Sequence, residues 1–409
     1  MTKILTKHFD SEPKFHELET YRKLGGYESL KKALGMERAA LLAEVKKSNL
    51  RGLGGAGFPT GLKWETVPSE DKVPGPRFVV VNADESEPGC YKDRILLTRA
   101  PHQLIEGLLI ASYVIGAKDS FIFIRGEYQN QYDILEKALA EADQAGLLGA
   151  VKIHLMRGAG AYISGLDTAL LETMEGKKAW PRQPPPFPTV AGLMAKPTVV
   201  NNVETLSMLP FIVREGGEAF AKIGGPKSGG TVVFSISGSV ERPGLYEFPM
   251  GVKLRDVLLA CGGPLPGRKL KGVIPGGTSM PPLMEKDLDI QLDFDSVRAA
   301  GTFLGAGGMI VLDDTMDAVE IAHNIERFLT HESCGQCTPC REGSNWSERI
   351  LHRLLDGKGE AADIDNLSRV GENITGKVIC ALGDTVGMVL KGYIGRYPED
   401  FKKRVKSNG

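Results

Sequence analysis

Four cysteines carry the plainest chemistry in the sequence. Cys334, Cys337 and Cys340 are spaced C-x-x-C-x-x-C within ESCGQCTPCREG, and Cys380 follows in KVICALGD. Four thiolates suit the four irons of a [4Fe–4S] cubane. A tight triplet lets one loop wrap three corners, a distant residue closes the fourth, and Gly335 allows the backbone freedom such a wrap requires. A zinc site with four cysteine ligands is the competing chemistry, but zinc sites usually come as two separate C-x-x-C pairs. Half of the six cysteines lie within 334–340, which argues for metal or redox chemistry in a reducing compartment and against a disulfide scaffold. Cys90 and Cys261 lack such neighbours and read as buried small hydrophobes. His331 lies three residues before Cys334, and like His154 it reads as structural.

A second set of residues suits a phosphate or a flat ring. In RGLGGAGFPTG (51–61), Gly52, Gly54 and Gly57 match the dinucleotide fingerprint literally. The context is wrong for an ordinary Rossmann turn, because a charged helix precedes the loop where a strand is needed. Successive glycines still let backbone N–H groups approach a ligand without Cβ clashes. Phe58 and Lys63 stand close by, and Phe-Pro and Trp64 argue against a plain linker. NADESEPG (82–89) and GAGAY (158–162) follow apolar runs that read as strands, and in open α/β sheets ligands bind beyond those strand ends. A polar cluster at 200–205, with Asn201, Asn202 and Thr205, offers amides and a hydroxyl; helix N-capping by Asn is a compatible role.

These segments need elements to hold them. Residues 14–49 carry apolar positions at helical spacing and predict short helices. From 77 onward the pattern alternates: RFVVV, SFIFIR and VKIHLMR read as strands, while PHQLIEGLLIASYVIGA, YDILEKALAEADQAG and 167–175 read as helices. Buried strands alternating with helices predict a parallel sheet with helices on its faces. PRQPPPFP (181–188) predicts an extended loop. TVVFSISGSVERPGLYEFPMG reads as a hairpin backed by the helix VKLRDVLLACGG, in an α+β unit of roughly 90 residues. From 316 the pattern is all helical, with cysteines between helices.

The length of 409 residues predicts two or three domains. A net charge of −1 excludes the usual basic profile of a nucleic-acid binder. The first residues show no signal peptide. The most apolar stretch, 104–117, contains Glu106 and falls short of the ~18 residues that span a bilayer. A soluble chain is expected, reaching a membrane only through partners.

RGLGGAGFPTGLKW, NADESEPG, GAGAYI, KPTVVNNVET and ESCGQCTPCREG, in this order, resemble the flavoprotein subunit of respiratory complex I. The same module occurs in NAD-linked hydrogenases and formate dehydrogenases. The resemblance covers essentially the whole chain. It implies an N-terminal helical segment (1–60), a Rossmann-like FMN/NADH domain (61–228), a ubiquitin-like domain (229–314) and a helical bundle holding the cluster (315–409). By resemblance, FMN is held by Gly52, Gly54, Gly55 and Lys63, by Asn82, Asp84 and Ser86, and by Tyr162, Gly165, Asn201, Asn202 and Thr205. NADH stacks on Phe58 and Phe187, Glu87 is the catalytic-site carboxylate near the nicotinamide end, and Asp167 faces the adenosine ribose. The implied reaction is hydride transfer from NADH to FMN, then single electrons to the cluster. The implied partners are a thioredoxin-like [2Fe–2S] subunit and a larger multi-cluster iron–sulfur subunit, in the peripheral part of a membrane complex on its cytoplasmic side or the mitochondrial matrix equivalent. The family carries Arg where this chain has Leu53, Cys-Gly-Glu-Glu where it has Ser164-Gly165-Leu166-Asp167, and Lys-Pro-Pro-Phe-Pro where it has Pro184-Pro185-Pro186-Phe187-Pro188. Two alternatives stay open: the same module in another complex (a hydrogenase, formate dehydrogenase or bifurcating enzyme), or an electron-conducting subunit with a decayed nucleotide site.

Overall fold

The structure, a computed structural model, describes residues 2–406. The apolar runs read as strands form β1 (Phe78–Ala83), β2 (Asp119–Ile124) and β3 (Lys152–Arg157), and β4 (Thr198–Asn202) completes a four-stranded parallel sheet in the order β3-β2-β1-β4. Val79, Val80 and Val81 are wholly buried because helices cover both faces of β1. The helices that matter to the site are α1 (Arg38–Lys47), α2 (Thr60–Glu65), α3 (Lys92–Arg99), α4 (Pro101–Ile115), α5 (Gln129–Gln144), α6 (Asp167–Met174) and α7 (Val203–Ser207). The chain runs outward from β1 to β2 and β3, then returns to lay β4 on the other side of β1. That reversal opens a crevice at the carboxyl ends of β1 and β4. Together these features make the first unit a Rossmann-like α/β fold.

Helix α4 is buried on nearly every side. A Cβ at Gly107 would collide with the Leu206 carbonyl, so glycine sets the close packing of α4 on α7. Inside this apolar helix, Glu106 accepts a hydrogen bond from Tyr21 and another, of 2.9 Å, from the Leu30 amide. The N-terminal helices are thus fastened to the sheet's covering layer by polar as well as apolar contacts.

Two elements go beyond the alternation read from sequence. The N–H groups of Asp93 and Arg94, at the start of α3, donate to the Glu85 carboxylate at 2.8 and 2.9 Å. A cap supplied from the preceding loop leaves no signature within the helix itself. Strand β4 is only five residues long and ends in two asparagines, which hides it inside a polar cluster. The segment 181–188, expected to be extended, instead bends at 184–186 and enters a short helix, Pro188–Ala191.

The predicted hairpin is β5 (Thr231–Gly238) and β6 (Gly244–Pro249), followed by α8 (Leu254–Ala260). With β7 (Leu270–Ile274) and β8 (Gly308–Asp313) they form a second sheet, ordered β6-β5-β8-β7, in which β5 and β8 are parallel and the other pairs antiparallel. Four long helices follow: α9 (Ala318–Glu332), α10 (Thr338–Leu355), α11 (Ala361–Ile374) and α12 (Ala381–Arg396). Their apolar stripes enclose a separate core that includes Leu329, Leu351, Leu367 and Leu390. Asp317 caps α9 by accepting from the amides of Val319 and Glu320. Among the described residues no helix is long and apolar enough to cross a membrane.

Candidate functional site

The cysteines converge. Cys334 lies in the loop after α9, Cys337 is the N-cap of α10, Cys340 lies in its first turn, and Cys380 is the N-cap of α12. All four line one small cavity with Ile163, Ser333, Gln336, Val378, Leu382 and Gly383. Gly335 takes φ +77°, the left-handed turn the wrap requires. The Ile379 N–H points at Cys337 Sγ at 3.4 Å, and the Ser333 hydroxyl is 3.2 Å from Cys340 Sγ. Burial pushes the Cys380 thiol up to about 11, and the Cys340 thiol up as well. Four sulfur donors, amide contacts to sulfur, two helix N-termini and a wall without carboxylates fit an anionic iron–sulfur cluster. His331 points to solvent and meets only Glu332, at 3.2 Å. His154 is likewise paired at the surface, with Asp119 at 2.9 Å. Cys90 and Cys261 are buried away from this group.

The second set of predicted residues meets in the crevice beyond β1 and β4. The glycine loop closes on itself through Gly52 N–H to the Phe58 carbonyl (2.9 Å) and Gly57 N–H to the Gly52 carbonyl (3.1 Å). It is tied to α7 by the Leu53 N–H, which donates to Thr205 Oγ1 at 2.9 Å. Gly55 has φ +123°, and a Cβ on Gly54 would sit 2.9 Å from that of Asn202. Trp64 Nε1 donates to Asn201 Oδ1 at 2.8 Å, and Asn82 Nδ2 to the Gly165 carbonyl at 2.7 Å. Ser86 Oγ reaches the Tyr162 carbonyl at 3.4 Å. Lys63 Nζ donates to Asp167 Oδ2 and to the Val200 carbonyl, each at 2.7 Å. Asp167, expected at the ribose, is thus paired with the lysine expected to hold the flavin. Phe58 and Phe187 stand 53% and 61% exposed.

Asp84 supplies an independent test of fit. Its Oδ1 is buried with no hydrogen-bond partner among the described residues, and burial pushes its carboxyl up to about 7. An orphaned acceptor in a crevice floored by glycine backbone suits a polar heteroaromatic ligand such as the flavin of FMN. The raised value also has a consequence for stability. The neutral acid is favoured in the fold, so this contribution is complete below about 3.8 and disappears as pH rises through about 7. Asp84→Asn should therefore gain on the parent by on the order of 1–3 kcal/mol between pH 5 and pH 8 in flavin-free protein. Thermal melts at the two pH values check this; a difference that does not change with pH contradicts it.

Glu87 is more embedded than its sequence suggests. Its carboxylate accepts from Tyr162 OH (2.6 Å) and from the Ser279 N–H and hydroxyl (2.9 Å each). Burial raises its pKa while these bonds pull it back. A Cβ on Gly277 would strike Glu87 Cγ, so PGGTSM packs directly on this carboxylate. Sequence reasoning missed Thr278 and Ser279; their glycine pair, Gly276-Gly277, was the available signal. It also missed Lys92, a buried cation paired with Asp93 (2.7 Å) and Glu204 (2.9 Å). Asn202 hangs on this network: its Nδ2 donates to Asp93 Oδ2 at 2.5 Å, while its Oδ1 accepts the Glu204 N–H at 2.9 Å as the N-cap of α7. Two of the departures from the family point inward: Leu53 is buried in the main core, and Leu166 packs on the C-terminal core.

One turn joins the two sites. Tyr162–Gly165 is a short 3-10 helix. The Tyr162 hydroxyl meets Glu87, its N–H donates to Glu332 of α9 at 3.1 Å, and its ring stacks edge-on against Phe328 at 5.1 Å. The next residue, Ile163, lines the cysteine cavity.

Comparison with known proteins agrees with this arrangement. Residues 45–210 match the Nuo51 FMN-binding domain, 233–283 the SLBB domain, and 320–404 the NADH-ubiquinone oxidoreductase-F iron–sulfur binding region. The F 2 subunit of the NADH-quinone oxidoreductase of Rhizobium meliloti (strain 1021) is 49% identical, covering 98% of this chain and 97% of that protein. The F subunit of the NADH-quinone oxidoreductase of Rickettsia felis is 45% identical over 96% and 94%. The crystal structure of an NAD+-reducing [NiFe]-hydrogenase in its H2-reduced state superposes with a TM-score of 0.89 at 34% identity, covering all of this chain and 68% of that one. The chain belongs to the family of NADH-quinone oxidoreductase F subunits.

Proposed function

We propose that this chain is the NADH-oxidising flavoprotein subunit of an NADH-quinone oxidoreductase. The observation that carries the reading is the single turn, Tyr162–Gly165, that forms a wall of both the glycine-lined crevice and the four-cysteine cavity. FMN bound here would supply the chemistry that converts a hydride from NADH into single electrons for a [4Fe–4S] cluster. The protein's part is to bind and orient. Gly52, Gly54 and Gly55 present backbone to the flavin, with Lys63 as a cation for the phosphate. Asn82, Asp84 and Ser86, Tyr162 and Gly165, and Asn201, Asn202 and Thr205 shape the rest of the pocket; the last three act partly by holding the glycine loop and α7 in place. Phe58 and Phe187 take the nucleotide rings. Glu87, held by Tyr162 and Ser279, fixes a negative charge at the nicotinamide end. Cys334, Cys337, Cys340 and Cys380 would hold the cluster through their thiolates.

The mixed second sheet with the helix Leu254–Ala260 packed on it supports a ubiquitin-like unit over 229–314. The four helices around their own core support a cluster-binding bundle over 315–409, with the Rossmann-like domain over 61–228 and the helical segment 1–60 before it. The electron path then leads to a thioredoxin-like [2Fe–2S] subunit and a larger multi-cluster subunit. The chain would sit peripherally on the cytoplasmic side of the membrane, reaching it only through the complex. The hydrogenase neighbour favours a second reading, the same module running toward NAD+ reduction in another complex.

Nucleotide choice tests the donor. The Lys63–Asp167 pair keeps the crevice close to neutral at that point. Asp167→Asn removes a carboxylate that would face the ribose and repel the extra phosphate of NADPH. A charge change at this part-buried site is worth on the order of 1 kcal/mol, a severalfold change. The parent should prefer NADH, and kcat/KM for NADPH relative to NADH should rise severalfold in the variant. NADPH preference in the parent, or no change on substitution, contradicts the assignment.

A further inference from the structure

We propose that His323, Glu348 and His352 form a binding site for a divalent transition-metal ion of the zinc class, separate from the cysteines. One ligand atom from each lies within 4.8 Å of the others. His323 Nε2 is 3.0 Å from Glu348 Oε1, and the two imidazole rings are 5.5 Å apart. Glu348 and His352 are one turn apart on α10 and so share a face, which His323 of α9 meets from across the helix pair. Two imidazoles and a carboxylate suit zinc, nickel or cobalt better than calcium or magnesium. His323 is largely shielded, whereas the His352 side chain is 62% exposed. Three protein ligands with one open side leave a fourth position for water.

The placement gives the ion a task. Helices α9 and α10 form an antiparallel pair whose connecting loop carries Cys334 and Cys337. The His–Glu–His group lies toward the opposite end of the pair. His352 is twelve residues beyond Cys340 on α10, or about 18 Å along the axis. The cluster would close one end of the pair and the metal would clip the other, without sharing a ligand.

The test uses the full-length, tag-free protein with flavin and cluster in place. It is washed with chelator, then dialysed against zinc chloride. One zinc per chain should be retained with iron content unchanged, and the melting temperature should rise with zinc concentration. His323→Ala and His352→Ala should each weaken zinc binding by about tenfold or more and abolish the thermal shift. Unchanged flavin and iron contents confirm that a variant is folded, and the exposed His352 can be replaced without disturbing the core. No retained zinc, equal zinc affinity in the parent and both variants, or zinc uptake matched by iron loss would each overturn the site and leave His323–Glu348 as a hydrogen bond alone.

Discussion

Cys380→Ala is expected to abolish the intact [4Fe–4S] centre, or reduce it to a three-iron form, while FMN remains bound. Cys380 is the one cysteine of the cavity that lies outside the triplet, at the N-cap of α12. Apart from the cysteines, the polar side chains on the cavity wall are Ser333 and Gln336, and neither provides a thiolate. No group can take over the fourth corner, so the effect on iron content and on the EPR spectrum should be close to complete. Alanine occupies most of the cysteine's volume, and the flavin crevice lies on other elements, so the fold and the flavin should survive. Cys261→Ala is the matching control: that thiol is fully buried and donates only to the Leu258 carbonyl, at 3.2 Å. An unchanged cluster in the Cys380 variant contradicts the ligand set.

Gly54→Val should strip the protein of FMN and spare the cluster. A Cβ here lies 2.9 Å from Asn202 Cβ and 3.3 Å from its Cγ. Asn202 cannot step aside, because its amide is committed to Asp93 on one side and to the cap of α7 on the other. The glycine loop must move instead, and with it the backbone that faces the flavin. Overpacking of this kind costs about 1–3 kcal/mol, which in flavin binding is roughly five- to 150-fold. Gly52 gives a useful contrast. A Cβ there meets its nearest protein atom, the Phe58 carbonyl, at an ordinary 3.5 Å. Flavin loss in Gly52→Ala therefore reports contact with the ligand, since the protein itself has room. Full flavin occupancy in Gly54→Val shows that the loop does not floor the flavin site.

The legible parts of the sequence were those with local signatures. The cysteine spacing, the glycine loop, and the strand and helix periods each lie within a few consecutive residues, and they placed β1, β2, β3, the hairpin and the cysteine cavity in the fold. What stayed hidden depends on residues far apart in the chain. Glu85 caps α3 from a preceding loop, Lys92 finds Glu204 across the core, and Glu87 is held by Ser279 from the second sheet unit. Glu85 and Lys92 read in isolation as solvated surface groups, and nothing local to Glu87 points to its partner Ser279. Asp167 shows the same limit in the site itself, because only the folded chain reveals that its carboxylate is shared with Lys63. The bend at 184–186 was misread because consecutive prolines favour extension locally, while the helix entered at Pro188 requires the chain to turn.

In the proposed function NADH reduces a flavin in the crevice, and the electrons pass to the cluster behind Tyr162 and Ile163. An anaerobic titration of the purified, cofactor-loaded chain with NADH, followed by visible absorbance and EPR, tests it most directly. The flavin should bleach, and a reduced [4Fe–4S] signal should grow in the same titration. A flavin that stays oxidised under NADH, yet bleaches with dithionite, would contradict the proposed function.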